Sequence, residues 1–190
     1  MSAPDNDVIG KLLVAHADYE STVSDSYDEV LFDVVARVEC ARNIGKADIG
    51  ALLFWKRLWA DTPWAMALHT MRDSDVRVVT AAMYVAANDL SVDVPTAAGR
   101  ARQALIELPG CVNGGALPSA LILAAAPSRM AIYDKRALKA LGLLGLAVDT
   151  SKGWYRGYMT TVEKLRVEVR NRGKDWSARD VDKALFQLGK

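Results

Sequence analysis

The sequence predicts an all-α fold, a bundle of about ten helices, and three observations carry that reading. Apolar residues recur at helical spacing through most of the chain. Ala and Leu outnumber the β-branched residues in the longer segments, and no pair of alternating segments reads as a strand hairpin. Helices are expected over 7–18, 27–41, 48–59, 64–71, 75–88, 96–107, 117–125, 135–142, 155–171 and 178–188.

Taken in order, the first two segments rest on period alone, and the acidic, Ser-rich stretch 19–26 between them reads as a connection. In 48–59, Leu52, Trp55 and Trp59 share one face at i, i+3 and i+7. Thr62-Pro63 sets a capping hydroxyl before a proline at the first helical position of 64–71. Ser74 stands before Asp75 as the cap of 75–88. The segment 96–107 ends at Leu108-Pro109-Gly110, and a Gly-rich turn leads into the wholly apolar 117–125. Asp134 stands as a cap before Lys-Arg-Ala-Leu, and a Gly-containing loop precedes 155–171. The last helix opens with the S-x-x-D capping box Ser177–Asp180 and carries the apolar stripe Val181, Leu185 and Leu188.

At 190 residues, with no internal repeat or long Pro/Gly/Ser linker, the chain is expected to form one domain, 1–190, and a monomer. No run of about 18 uncharged apolar residues exists. The first residues, MSAPDNDVIGKLL, lack the basic and apolar regions of a leader, so a cytoplasmic protein without a membrane partner is expected. Cys40 and Cys111 are too few for a disulfide framework or a cysteine-bound zinc or cluster, and both are expected as buried thiols. His16 and His69 have no second ligand at metal spacing, so neither a metal nor another cofactor is expected. The sequence contains no P-loop, G-x-G-x-x-G or G-x-S-x-G.

The net charge of +1 hides a polar distribution. Residues 1–30 hold Asp5, Asp7, Asp18, Glu20, Asp25, Asp28 and Glu29 against Lys11 alone, whereas residues 130–190 hold 13 Lys or Arg against 7 Asp or Glu. A basic face in the C-terminal third would suit a polyanion; the alternative is a set of solvated charges.

The chemistry concentrates in LPGCVNGGALPSALILAAAPSRMAIYDKRALKALGLLG, residues 108–145. A Gly-rich turn at a helix N-terminus can aim several backbone N–H groups at a phosphate. This segment resembles the helix-hairpin-helix DNA glycosylases, the superfamily of endonuclease III and 8-oxoguanine glycosylase, and is most similar to its 8-oxoguanine-glycosylase-like bacterial branch. There an LPG-type hairpin and an apolar helix precede a catalytic aspartate that opens the next helix. Ala116 and Asp134 stand at the corresponding spacing of 18 residues, and PSALILAAAP, IYDKRALKALG and the terminal WSARDVDKALFQLG carry the likeness across roughly 45–190.

The resemblance implies a helix-hairpin-helix DNA-binding motif and double-stranded DNA as partner. It implies a glycosylase that flips a modified or damaged base and hydrolyses its N-glycosidic bond, in repair or in defence against phage with modified DNA. Asp134 would be the catalytic carboxylate; its structural alternative is an ordinary N-cap. Asn113, Gly114 and Gly115 would supply phosphate-binding N–H groups, in a hairpin about two residues longer than the family's usual turn. Lys135, Arg136 and Arg156 would contact DNA, and Trp55, Lys56, Tyr133 and Asp182 would line the base pocket. For Trp55 core packing explains most of the pattern, Lys56 also reads as a solvated lysine, an alternative amine or a phosphate contact, and Asp182 as one half of an i,i+4 or surface pair. The aromatic cluster KGWYRGYM around Arg156 suits a base or backbone contact, or packing at a helix start.

Bifunctional relatives carry a hairpin lysine that attacks the sugar. Here that position is Ala116, and no lysine lies between Lys56 and Lys135, so strand cleavage is not expected. The alternative to an enzyme is a non-catalytic helix-hairpin-helix module of a restriction or defence assembly.

Overall fold

The computed structural model of the chain describes residues 7–190; Asp5, counted in the acidic stretch, lies outside the described residues. Among these residues there are ten α-helices and no strand. They are α1 (Val8–Thr22), α2 (Glu29–Ala41), α3 (Lys46–Lys56), α4 (Pro63–Thr70), α5 (Asp73–Ala87), α6 (Val94–Ala104), α7 (Ala116–Ala125), α8 (Lys135–Leu143), α9 (Trp154–Asn171) and α10 (Ala178–Leu188). A single 3₁₀ turn, Asp25–Asp28, leads into α2. Each helix overlaps one expected from the apolar period.

The centre is α7, where every residue from Leu117 to Ala125 is buried. Such a helix is apolar on all sides and needs neighbours on all sides. It has them in α2, α3, α5 and α6. Around this centre α5 packs on α6, α6 on α9, α8 on α10, and α10 on α1.

Local chemistry fixes the helix starts. Asp7, Thr62 and Asp93 cap α1, α4 and α6 by accepting backbone N–H bonds, and Ser177 and Asp180 form the expected capping box on α10. Ser74 is not a cap. The Asp73 carboxylate receives the Lys46 backbone N–H at 2.7 Å and Arg77 at 2.6 Å, which draws the start of α5 back to Asp73; Ser74 Oγ bonds to Asp75.

Two ends differ for physical reasons. Helix α1 runs on to Thr22 because Tyr19 is buried and meets the Phe186 ring edge-on at 6.2 Å, so part of the expected connection is helix. Helix α3 stops at Lys56 because Arg57 takes φ +53°. The Leu58 N–H bonds the Leu53 carbonyl and the Arg57 N–H that of Phe54, a Schellman ending. With arginine in place of glycine this ending costs about 1–2 kcal/mol, and it removes Trp59 from the face of Leu52 and Trp55. Cys111 is buried as expected, with its thiol pushed up to about 12 by that burial, but Cys40 is exposed on α2.

Two connections position the site. The turn 105–115 is pinned by buried Leu105, Leu108 and Cys111 and by Arg102, which donates to the Val112 carbonyl at 2.8 Å. At its sharpest point Gly110 has φ +83° and lies under Trp64; a Cβ there would come within 2.4 Å of the Trp64 ring. The second is the buried crossing Met130–Ile132 that follows Pro127. An irregular buried segment needs partners for its backbone. Here the Tyr155 hydroxyl donates to the Ala131 carbonyl and the Tyr158 hydroxyl to that of Ile132, each at 2.8 Å. No described helix is long and apolar enough to cross a membrane.

Candidate functional site

A cleft of about 980 Å³ opens where the ends of α1 and α3, the 3₁₀ turn, the turn before α7, the start of α8 and the end of α10 converge. Its only lining carboxylate among the described residues is Asp134, and its cations are Lys56, Arg57, Lys135, Arg136 and Lys190. Tyr19, Tyr27, Tyr133 and Phe186 supply aromatic walls. Burial holds the Tyr19 and Tyr27 phenols above their ordinary range, so both remain neutral donors.

Asp134 divides its two oxygens between two tasks. Oδ1 accepts the backbone N–H groups of Arg136 at 2.9 Å and Ala137 at 3.0 Å, which is the N-cap of α8. Oδ2 receives Lys56 Nζ at 3.3 Å. The two side chains are only 16% and 12% exposed, so the pair sits in the wall rather than at the rim. The cap fixes the carboxylate's plane, and the free edge of Oδ2 is the part that can meet a ligand.

The side formed by the turn before α7 is built by close approach. Gly115 lies against Tyr133, where a Cβ would come within 2.3 Å of the ring, so only glycine lets the turn sit beside the residue that precedes Asp134. Asn113, Gly114 and Gly115 line the cleft, and their backbone N–H groups make no hydrogen bond within the described residues. The three residues stand just before α7, at the positive end of its helix dipole.

Of the residues singled out by sequence, the cleft therefore gathers Lys56, Asn113, Gly114, Gly115, Tyr133, Asp134, Lys135 and Arg136. Three are placed elsewhere. Trp55 is buried below the cleft, its indole N–H on Asp28 at 3.0 Å and its ring under the Arg179 guanidinium at 5.4 Å. Asp182 is 1% exposed, does not line the cleft, and its Oδ2 is bound by Arg179 one turn away. Burial pushes its carboxyl up, opposed by the charges of Arg179 and Lys56. Arg156 lies on α9 with Lys152 and Lys164 around a separate depression of about 90 Å³.

The sequence reading missed Tyr19, Tyr27, Arg57, Phe186 and Lys190. Their segments are far apart in the chain, and packing alone brings the Phe186 ring to 4.8 Å from the Arg136 guanidinium and 5.7 Å from Lys190 Nζ. Of the two readings of KGWYRGYM, contact surface or packing at a helix start, Tyr155 and Tyr158 follow the second: they are buried anchors of the crossing that delivers Tyr133 and Asp134. No group of three His, Cys, Asp or Glu able to hold a metal occurs among the described residues. No family model, curated protein or solved structure matches the chain.

Proposed function

We propose that the protein is a monofunctional DNA glycosylase: it turns a modified or damaged base out of a duplex into the cleft and hydrolyses its N-glycosidic bond. The observation that carries this reading is the cleft itself, one mostly buried carboxylate among five cations and four aromatic rings, with three unused backbone N–H groups on one wall. The cations and N–H groups suit phosphates, the rings suit a base, and Asp134 suits the positive charge that develops on the sugar. In this reading the connection from α6 to α7 is the helix-hairpin-helix motif.

The chemistry asked of the chain is small. As the base departs with the electron pair of the C1′–N bond, the sugar takes on oxocarbenium character, which Asp134 stabilises at Oδ2. Water then adds at C1′; its hydroxyl stays on the sugar and its proton passes to the base, giving an abasic site. Lys56 aims the carboxylate from 3.3 Å until a substrate phosphate or base competes for its ammonium. An open space beside Asp134 favours an enzyme over a module that merely grips DNA, since a gripping module has no need of a base-sized space there. Repair and defence against phage with modified DNA both fit, in a cytoplasmic monomer.

The test is incubation with a panel of duplexes bearing modified purines and pyrimidines and with modified phage genomic DNAs, scoring released base and abasic sites. Asp134→Asn, which can still cap α8, should bind but fail to release base. Release by neither protein on any substrate, with duplex binding intact, would leave the gripping module. Borohydride should trap no adduct, and strands should break only after alkali or heat.

A further inference from the structure

The connection from α3 to α4 carries a side chain that neither core nor cleft wall uses. Trp59 is 77% exposed, whereas Trp55, Trp64, Trp154 and Trp176 are buried or half-buried. A continued α3 would have laid Trp59 on the buried face of Leu52 and Trp55; the left-handed Arg57 turns the chain away instead and leaves the ring in water. Strained backbone of this kind persists where surrounding structure holds it, and it gathers at working sites.

What precedes Trp59 gives the exposure a direction. Lys56, Arg57 and Leu58 line the cleft, so Trp59 is the residue with which the chain leaves that wall, directly after two cations suited to phosphates on either side of a turned-out nucleotide. A turned-out nucleotide leaves an unstacked gap that the duplex tends to close. A flat ring with both faces free can fill it, and stacking on an aromatic needs no particular sequence.

We propose that Trp59 is the side chain that enters the base stack and occupies the gap left by the target nucleotide. This rests on the glycosylase reading and adds the residue that keeps the nucleotide in the cleft. The full chain is titrated against two duplexes, one unmodified and one carrying a tetrahydrofuran abasic analogue opposite 2-aminopurine. The variants are Trp59→Ala, Trp59→Phe and, as an exposed aromatic on α2 away from the cleft, Phe32→Ala. Trp59→Ala should weaken binding to the abasic duplex by roughly 5- to 150-fold and to the unmodified duplex by less than about twofold. Trp59→Phe should retain most of the affinity and Phe32→Ala all of it. Because Trp59 is the exposed indole among the described residues, iodide quenching of the wild-type fluorescence should fall when the abasic duplex binds. Equal affinity of Trp59→Ala and wild type for the abasic duplex, with iodide quenching unchanged on binding, overturns the assignment and leaves the glycosylase reading standing. Failure of the wild type to bind either duplex overturns both.

Discussion

At the scale of single residues, Asp134 is used twice, and the two uses can be separated. Asparagine caps a helix about as well as aspartate, so Asp134→Asn keeps the bonds from Arg136 and Ala137 and loses only the charge that faces Lys56. Base release should fall at least about 100-fold, while Tm falls by about 2–4 °C, the equivalent of about 1 kcal/mol. Release assays and a thermal melt on the same preparation check both halves. Asp182 should behave in the opposite way. Asp182→Ala leaves the buried Arg179 guanidinium short of a counter-charge and should destabilise the fold by about 3–5 kcal/mol. Denaturant unfolding measures that loss, and duplex affinity of the folded fraction should stay near wild type.

Whole helices are held to the site by polar contacts at their flanks. The Tyr158 hydroxyl is the buried partner of the Ile132 carbonyl, so Tyr158→Phe should cost about 1–2 kcal/mol, or about 2–8 °C in Tm. It should also slow base release with duplex affinity unchanged, because the crossing it anchors sets Asp134. Helices α1 and α10 are joined by His16, whose ring meets Asp180 at 3.3 Å and lies tilted against Trp176 with the ring centres 4.5 Å apart. Burial acts to raise the Asp180 carboxyl, but the bonds from His16 and Ser177 outweigh it and hold the group below its ordinary value. A depressed folded-state value means that this stability is present above the unfolded carboxylate range near about pH 4 and is lost as pH falls below it. Chemical denaturation across that range should show Asp180→Asn losing less stability on acidification than wild type.

The helices were legible because local rules govern them: the apolar period, the Thr62 and Ser177 caps and the apolar run of α7 all act within a few residues. The end of α3 was not, since a left-handed arginine is a choice made against its propensity. Nor was the pairing of Lys56 with Asp134, 78 residues apart, or the burial of the Arg179–Asp182 pair with Arg179 over the Trp55 ring, because packing rather than spacing creates them.

For the molecule as a whole, a net charge of +1 says little about a partner, and the arrangement says more. Positive charge collects on one cleft while the acidic N-terminal residues are partly drawn into pairs, as Asp7 with Arg172 and Glu20 with Lys183. Reversing Lys135 and Arg136 to Glu should weaken duplex binding and lower the slope of log K against log salt by about 2, since each phosphate left without its cation removes about 0.9. Arg156→Glu, in its separate depression, should change the slope by less. Fluorescence anisotropy over a salt series compares the three proteins. The all-round burial of α7 has a consequence for motion. Amides of a helix enclosed by four others exchange with deuterium only when the whole chain opens, and the glycine wall of the cleft is the N-terminal extension of that helix. In the glycosylase reading that wall should stay fixed, so entry and exit of a nucleotide would fall to the opposite rim, where the short connection after α3 should exchange fastest.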